Sequence, residues 1–437
     1  MNLRRLAVAW WAVPCLALVF FGYSHSFNTF PILERQHSVL ADADAAPFAI
    51  LLRDFSPTRK YGNEYNTHER SIRDIAQKHK THHFLYAAVG GTLYRGLHGA
   101  YATLGADPAQ ALYGVNALIG CLNLVLLYLL LTHFGARGPY RVLYLALYAV
   151  ALGTWIYDAI PESWPFTATL ALGWVLVWYR RRPPYLWMAT AIGVVMLNNL
   201  LLGSLGMFIL LRRLQEARSP ARAMLESFAA LGVLLVTWTA GLTLLSVFDE
   251  SLRPDHFIAY TIWFKQFTGA GLPIYDPYVW KSALTNLFIN PVASHQPDPA
   301  VPQEALLATL TGSRLGLATV AAYLLVMGFA MRNVVLGVLR RHKEEGARGW
   351  VGPLLADDGV HLVLYCAVFA LLVVVMFFGA GFLYSCVTIP FLVLIMARYV
   401  DPDSRVQRLL LFAMVALIAV NNALQILEFR AALRPML

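Results

Sequence analysis

ALYGVNALIGCLNLVLLYLLLTHFGARGPYR, residues 111–141, decides how the rest of the chain is read. No Asp, Glu, Lys or Arg occurs from Ala111 to His133, and Arg137 and Arg141 follow closely. A helix rises about 1.5 Å per residue, so roughly 20 apolar residues cross the hydrocarbon core of a bilayer. The stretch reads as a membrane span closed by a basic loop.

The pattern recurs through the 437 residues, 58% of them hydrophobic and only 14% charged. Soluble domains carry about a quarter charged residues. The expected fold is all-α: one polytopic integral-membrane domain over 1–437. Hydropathy places spans near 7–30, 110–133, 140–157, 164–180, 185–197, 200–212, 223–248, 306–331, 359–380, 382–400 and 406–427. That makes about eleven crossings, the last ones gathered in 306–437. Residues 83–97 (HFLYAAVGGTLYRGL) contain two adjacent glycines and Arg95, and are short for a crossing. Residues 1–22 have the basic start and apolar run of a signal peptide, but FGYSHSF offers a poor cleavage site. An uncleaved first span is the expectation.

Charge sets the sidedness. With 83–97 lying at the interface, GARGPYR (135–141), RRRPP (180–184), RRLQEARSPAR (212–222), RRHKEEGARG (340–349) and DPDSR (401–405) all fall on the cytoplasmic side. The opposite loops DAIPES (158–163), NN (198–199) and GAGFLY (379–384) hold no Lys or Arg. The positive-inside rule selects this arrangement over one in which 83–97 crosses. The net charge of +9 is then accounted for by topology, and no nucleic-acid partner is expected. The implied location is the inner or plasma membrane, with membrane lipids as partners and the polar loops facing outward.

Two long loops lie outside: 31–109, with its juxtamembrane segments, and 249–305. In ADADAAPFAILLRDF (41–55), Phe48, Leu51, Leu52 and Phe55 form one apolar stripe of a short helix at the membrane surface. Asp42 and Asp44 stand at its head, where the helix dipole favours a carboxylate; capping is their simplest role and chemistry the alternative. His82 and His83 stand at the head of 83–97, as an interfacial pair or as ligands. Asp158 and Glu162 flank Pro161 in WIYDAIPESW (155–164), either as a solvated turn or as acids held at membrane depth, where they are costly and functional. Asn198 and Asn199 join two short apolar pieces, which form one interrupted helix or a hairpin bringing amides to a cavity. In the second loop Arg253, His256, Lys265 and Lys281 alternate with aromatics, which suits interfacial anchoring or an anionic phosphate beside an apolar chain.

Cys15, Cys121, Cys366 and Cys386 lie inside apolar segments with no paired spacing, so neither a disulfide framework nor a zinc site is indicated. No nucleotide-binding, metalloprotease or nucleophile-elbow motif is present.

The layout resembles the GT-C superfamily of integral-membrane glycosyltransferases, which includes protein O-mannosyltransferases and lipid A aminoarabinose transferases. The matching features are Asp44 with Phe48 four residues later, the His-initiated HHFLYAAVGGTLYRGL segment, the span beginning GADPAQALYG, and acids in the next outer loop. A short hairpin, a large late outer loop and LYSCVTIPFLVLIMA complete the likeness. The chain departs from the family pattern at Ala45, in lacking prolines after His83, and at Leu383. The resemblance implies a polyprenyl-phosphate sugar donor and a glycan, lipid or protein acceptor on the outer face. It implies Asp44, with Asp42 as neighbour, as general base, and Asp158 and Glu162 orienting the acceptor or a divalent cation such as Mg or Mn. His82, His83, Arg253, His256, Lys265, Tyr384, Asn198 and Asn199 would bind the donor's phosphate and sugar. A transporter or flippase of lipid-linked sugars, and a polysaccharide polymerase or ligase, are the competing classes. Internal repeats with mid-bilayer charges would favour the first, and essential loop arginines such as Arg253 the second.

Overall fold

The computed structural model describes residues 20, 22, 49, 51–53, 83–158, 160–179, 219–247, 253–255, 277–292, 314–344, 357–377 and 381–433. Helices dominate the described residues and no strand occurs among them. They are α1 (Phe84–Thr103), α2 (Ala111–His133), α3 (Gly138–Val150), α4 (Leu152–Tyr157), α5 (Trp164–Tyr179) and α6 (Pro220–Leu245). There follow α7 (Pro277–Leu284), continued by a π-helical turn over Thr285–Ile289, then α8 (Arg314–Glu344), α9 (Asp358–Phe377), α10 (Gly381–Tyr399) and α11 (Arg405–Leu433).

Local chemistry sets several ends. Gly135 adopts φ +78°, and the amides of Gly135 and Ala136 close back onto Thr132 and Leu131. Glycine enters this left-handed region without steric cost and terminates the span. Ser219 caps α6 by accepting from the Arg222 amide, with Pro220 in the first turn, where its missing N–H costs nothing. The span expected to end near 331 continues as α8 to Glu344, with Arg341, His342 and Lys343 in the last turn. Cations there meet the negative end of the helix dipole, which favours extending the helix beyond the apolar stretch.

α10 is the hub. It packs against α2, α3, α4, α5, α7, α8, α9 and the π turn, and its residues 385–396 are buried throughout. α2 lies along α5, α8 along α11, and α1 on α2. Leu51 and Leu52 are fully buried beneath α1 and α2, in a cluster with Tyr86, Ala87, Leu112, Val115 and Ile119, while Arg53 is exposed. Leu51 and Leu52 of the first loop's apolar stripe therefore dock on protein, whereas lying on the membrane surface was the expectation. Phe48 and Phe55 lie outside the described residues.

The expected single span 140–157 is two helices. Ala151 is extended (φ −62°, ψ 132°), so the backbone leaves the helical ladder between Val150 and Leu152. Buried polar groups need partners, and the second long loop supplies them. The Gly153 amide donates to the Pro291 carbonyl at 2.8 Å. Asn422 of α11 donates to the carbonyls of Val150 and Val292 at 2.8 and 2.9 Å. Irregular backbone inside a membrane protein is tolerable where protein satisfies it. Residues 286–292 thus join the packed interior, with Asn286, Leu287, Asn290 and Val292 buried.

The two ends of the bundle differ in charge. At one end Arg137 pairs with Asp403, while Asp357 receives Arg341 at 3.1 Å and the Tyr399 hydroxyl at 2.9 Å. At the other end lie the 158–163 turn, the α3–α4 break and residues 286–292. Between them, four helices are long and apolar enough to cross a membrane: Ala111–His133, Met224–Leu245, Leu315–Glu344 and Arg405–Leu427. Leu225, Phe228, Val236 and Leu244 on α6, and Val406, Leu409 and Phe412 on α11, are exposed on the protein surface. Such faces call for lipid rather than water, and the protein is a membrane protein.

Candidate functional site

Among the described residues, the acidic turn between α4 and α5 is a tightly held polar feature at the bundle end away from Arg137, Arg341 and Arg398. Asp158 and Glu162 are each only 1% exposed, so the turn is not a solvated corner. α4 delivers Asp158, whose amide donates to the Thr154 carbonyl at 3.0 Å. Trp155, Ile156 and Tyr157 are buried around it. α5 begins directly after Ser163, whose carbonyl accepts from the Thr167 amide. Glu162 Oε1 accepts from the Ser163 amide at 2.7 Å and from the Ser163 hydroxyl at 3.2 Å. A carboxylate beside a helix N-terminus meets the unpaired amides and the positive dipole end.

Asn116 holds the turn from α2. Its Nδ2 donates to the carbonyls of Ile160, Glu162 and Tyr157 at 2.6, 2.7 and 3.2 Å. Its Oδ1 accepts from the Tyr86 hydroxyl on α1 at 2.9 Å. Both residues are fully buried. One turn further along α2, Gly120 leaves room for the Asp158 carboxylate. A methyl group there would collide with that carboxylate and with Phe20 of the first hydrophobic segment. Asn123, at the next position along this face, donates to the Pro165 carbonyl and accepts from Thr169 at 2.6 Å.

Asp158 Oδ2 is buried without a hydrogen-bond partner. Burial pushes its carboxyl well above the ordinary carboxylate range, because a low-dielectric surrounding disfavours the charged form. When such a carboxyl holds its proton, it offers a hydrogen-bond donor. Among the described residues no group of three His, Cys, Asp or Glu side chains is placed to hold a metal.

His83 is the residue before α1, and its carbonyl accepts from the Ala87 amide at 3.0 Å. Arg253 is exposed and forms a two-pronged pair with Asp255 at 3.0 and 2.9 Å, so an incoming phosphate would compete with that carboxylate. Tyr384 lies on α10, one residue before the buried Ser385. Asp42, Asp44, His82, Asn198, Asn199, His256 and Lys265 lie outside the described residues.

Asn116, Tyr86 and Gly120 are the residues that sequence reasoning passed over. Asn116 did leave a signal, an amide inside a run free of charge, where a buried polar group needs partners. Nothing in the sequence pairs it with a turn some forty residues downstream. No family model matches the chain, and neither a curated protein nor a solved structure matches it.

Proposed function

We propose that the chain is an integral-membrane glycosyltransferase of the GT-C type, crossing the bilayer about eleven times. It moves a sugar from a polyprenyl-phosphate donor to an acceptor hydroxyl on the outer face. The observation that supports this most is the acidic turn. Two buried carboxyl residues are fastened at the bundle end opposite Arg137 and Arg341, one of them with an oxygen unpartnered. Acids placed so by apolar helices are costly to keep and mark function more often than structure.

In the proposed reaction the acceptor hydroxyl attacks the anomeric carbon as its proton passes to the Asp44 carboxylate. The bond from that carbon to the phosphate oxygen breaks, and polyprenyl phosphate leaves with the electron pair. Direct displacement inverts the anomeric configuration. A positioned base contributes about 10²–10⁴-fold. Asp158 and Glu162 orient the acceptor, the neutral Asp158 carboxyl as a donor. His82, His83, His256 and Lys265 meet the phosphate, with Arg253 once it exchanges Asp255 for the donor. Asp42, Asn198, Asn199 and Tyr384 border the donor sugar.

The test is transfer by the purified protein from a panel of polyprenyl-phosphate sugars, comparing wild type with Asp44→Asn. Loss of turnover in a folded Asp44→Asn protein is expected. Undiminished transfer by that variant removes Asp44 as the base. Movement of lipid-linked sugar across vesicles without a new glycosidic bond replaces the transferase by a flippase.

A further inference from the structure

The amide of Asn116 sits at the centre of a ring of three carbonyls, those of Tyr157, Ile160 and Glu162. A side-chain amide nitrogen has two protons, so the three acceptors share them and the turn closes around one atom. The opposite side of the amide is fixed by the Tyr86 hydroxyl, which donates to Oδ1. With Oδ1 engaged on that side, Nδ2 faces the turn. The connection runs through buried residues of three elements: Tyr86 in the first turn of α1, Asn116 near the start of α2, and Tyr157, Ile160 and Glu162 between α4 and α5.

We propose that Tyr86 and Asn116 are positioning residues that set the placement of Asp158 and Glu162 from helix α1. The inference rests on the transferase reading for its catalytic consequence. α1 is the element that follows the loop carrying Asp44, and the turn carries the other two acids of the proposed site. A shift of α1 as donor or acceptor enters is passed by the Tyr86–Asn116 hydrogen bond to the carbonyls of the turn. The Tyr86 ring contributes packing independently of its hydroxyl, since it sits 6.2 Å from Phe166 in a buried cluster with Leu51 and Leu52. Tyr86→Phe therefore keeps the ring in place and removes only the bond. Asn116→Asp keeps the shape and removes both amide protons.

The test uses full-length protein in detergent or nanodiscs, with two readouts. Hydrogen exchange is followed at the amides of 158–163 and, as reference, along α10. Transfer is measured with the polyprenyl-phosphate sugars of the panel. For Tyr86→Phe, exchange in the turn is expected to rise about tenfold while α10 is unchanged, since the opening is local. kcat is expected to fall about tenfold with the donor KM within about twofold, the mark of an interaction expressed in the transition state. Asn116→Asp is expected to show both effects more strongly. Unchanged exchange in the turn, an equal rise everywhere, or an unchanged kcat overturns the positioning role. If wild type transfers no sugar while Tyr86→Phe still loosens the turn alone, the transferase reading falls and the coupling stands.

Discussion

The amide of Gly153 donates to the carbonyl of Pro291 at 2.8 Å, which joins the broken helix α3–α4 to the second long loop. A Cβ at position 153 would meet Ser385 Oγ at 2.8 Å, Pro291 Cβ at 2.9 Å and Ile389 Cδ1 at 3.0 Å. All three neighbours are themselves packed. Gly153→Ala is therefore expected to lower stability by about 1–3 kcal/mol, as overpacking does in a dense core. Denaturant unfolding in mild detergent measures this, and a wild-type midpoint would show that the junction is loose.

Asn422 closes the same junction from α11 by serving two carbonyls. Asn422→Leu keeps much of the volume and strands both acceptors. Each buried carbonyl left unsatisfied costs about 1–3 kcal/mol. The variant is expected to be less stable than Gly153→Ala, and thermal unfolding followed by tryptophan fluorescence ranks the two.

Asp158 gives stability an unusual pH dependence. In the unfolded chain the group ionises near 3.8, while burial raises its folded value well above that. Above pH 4 the unfolded state gains charge and the folded state does not, so this residue makes stability fall as pH rises. The penalty is absent below the unfolded value and grows until the folded value is passed. Asp158→Asn is expected to melt above wild type at pH 7–8, with the curves converging toward about pH 4. A variant that melts below wild type at every pH would mean that a hydrogen bond of the carboxyl outweighs its burial.

At the arginine-bearing end the contrast is between a buried and an exposed acid. Asp357 accepts from Tyr399, from the Gly359 amide and from Arg341, and Arg398 stands 3.9 Å away. Asp357→Asn is expected to cost about 1.5–3 kcal/mol, the range for hydrogen bonds to charged groups. Asp403 and Arg137 are paired but more than half exposed, and water and salt screen such pairs. Arg137→Ala is expected to leave the melting temperature near that of wild type. Parallel thermal melts at low and high salt separate the two cases.

Much of the fold was legible because membrane helices advertise themselves locally. The span at 110–133 is helical over Ala111–His133, and 164–180 over Trp164–Tyr179. The segment 83–97 is a helix over Phe84–Thr103 whose second half is largely exposed. The break at Ala151 was not legible. VALGTW carries no proline and only one glycine, and the partners of the freed backbone lie on a loop and a helix far along the chain. In the candidate site, Asp158 and Glu162 were marked by their unusual company of apolar residues. Asn116 and Tyr86 were not, because an amide and a phenol inside apolar segments are common and only their mutual distance gives them a role.

By itself the sequence determined that the chain is built of apolar helices, such as Ala111–His133 and Trp164–Tyr179, and where several of the described ones stop. Hydropathy, glycine backbone freedom and helix-dipole preferences act within a few residues and can be read along the chain. Only the tertiary structure decided that a turn with two carboxyl residues is buried, that one asparagine holds it and that a distant loop repairs a broken helix. Burial and hydrogen-bond satisfaction depend on what packs alongside, and those neighbours come from distant parts of the sequence.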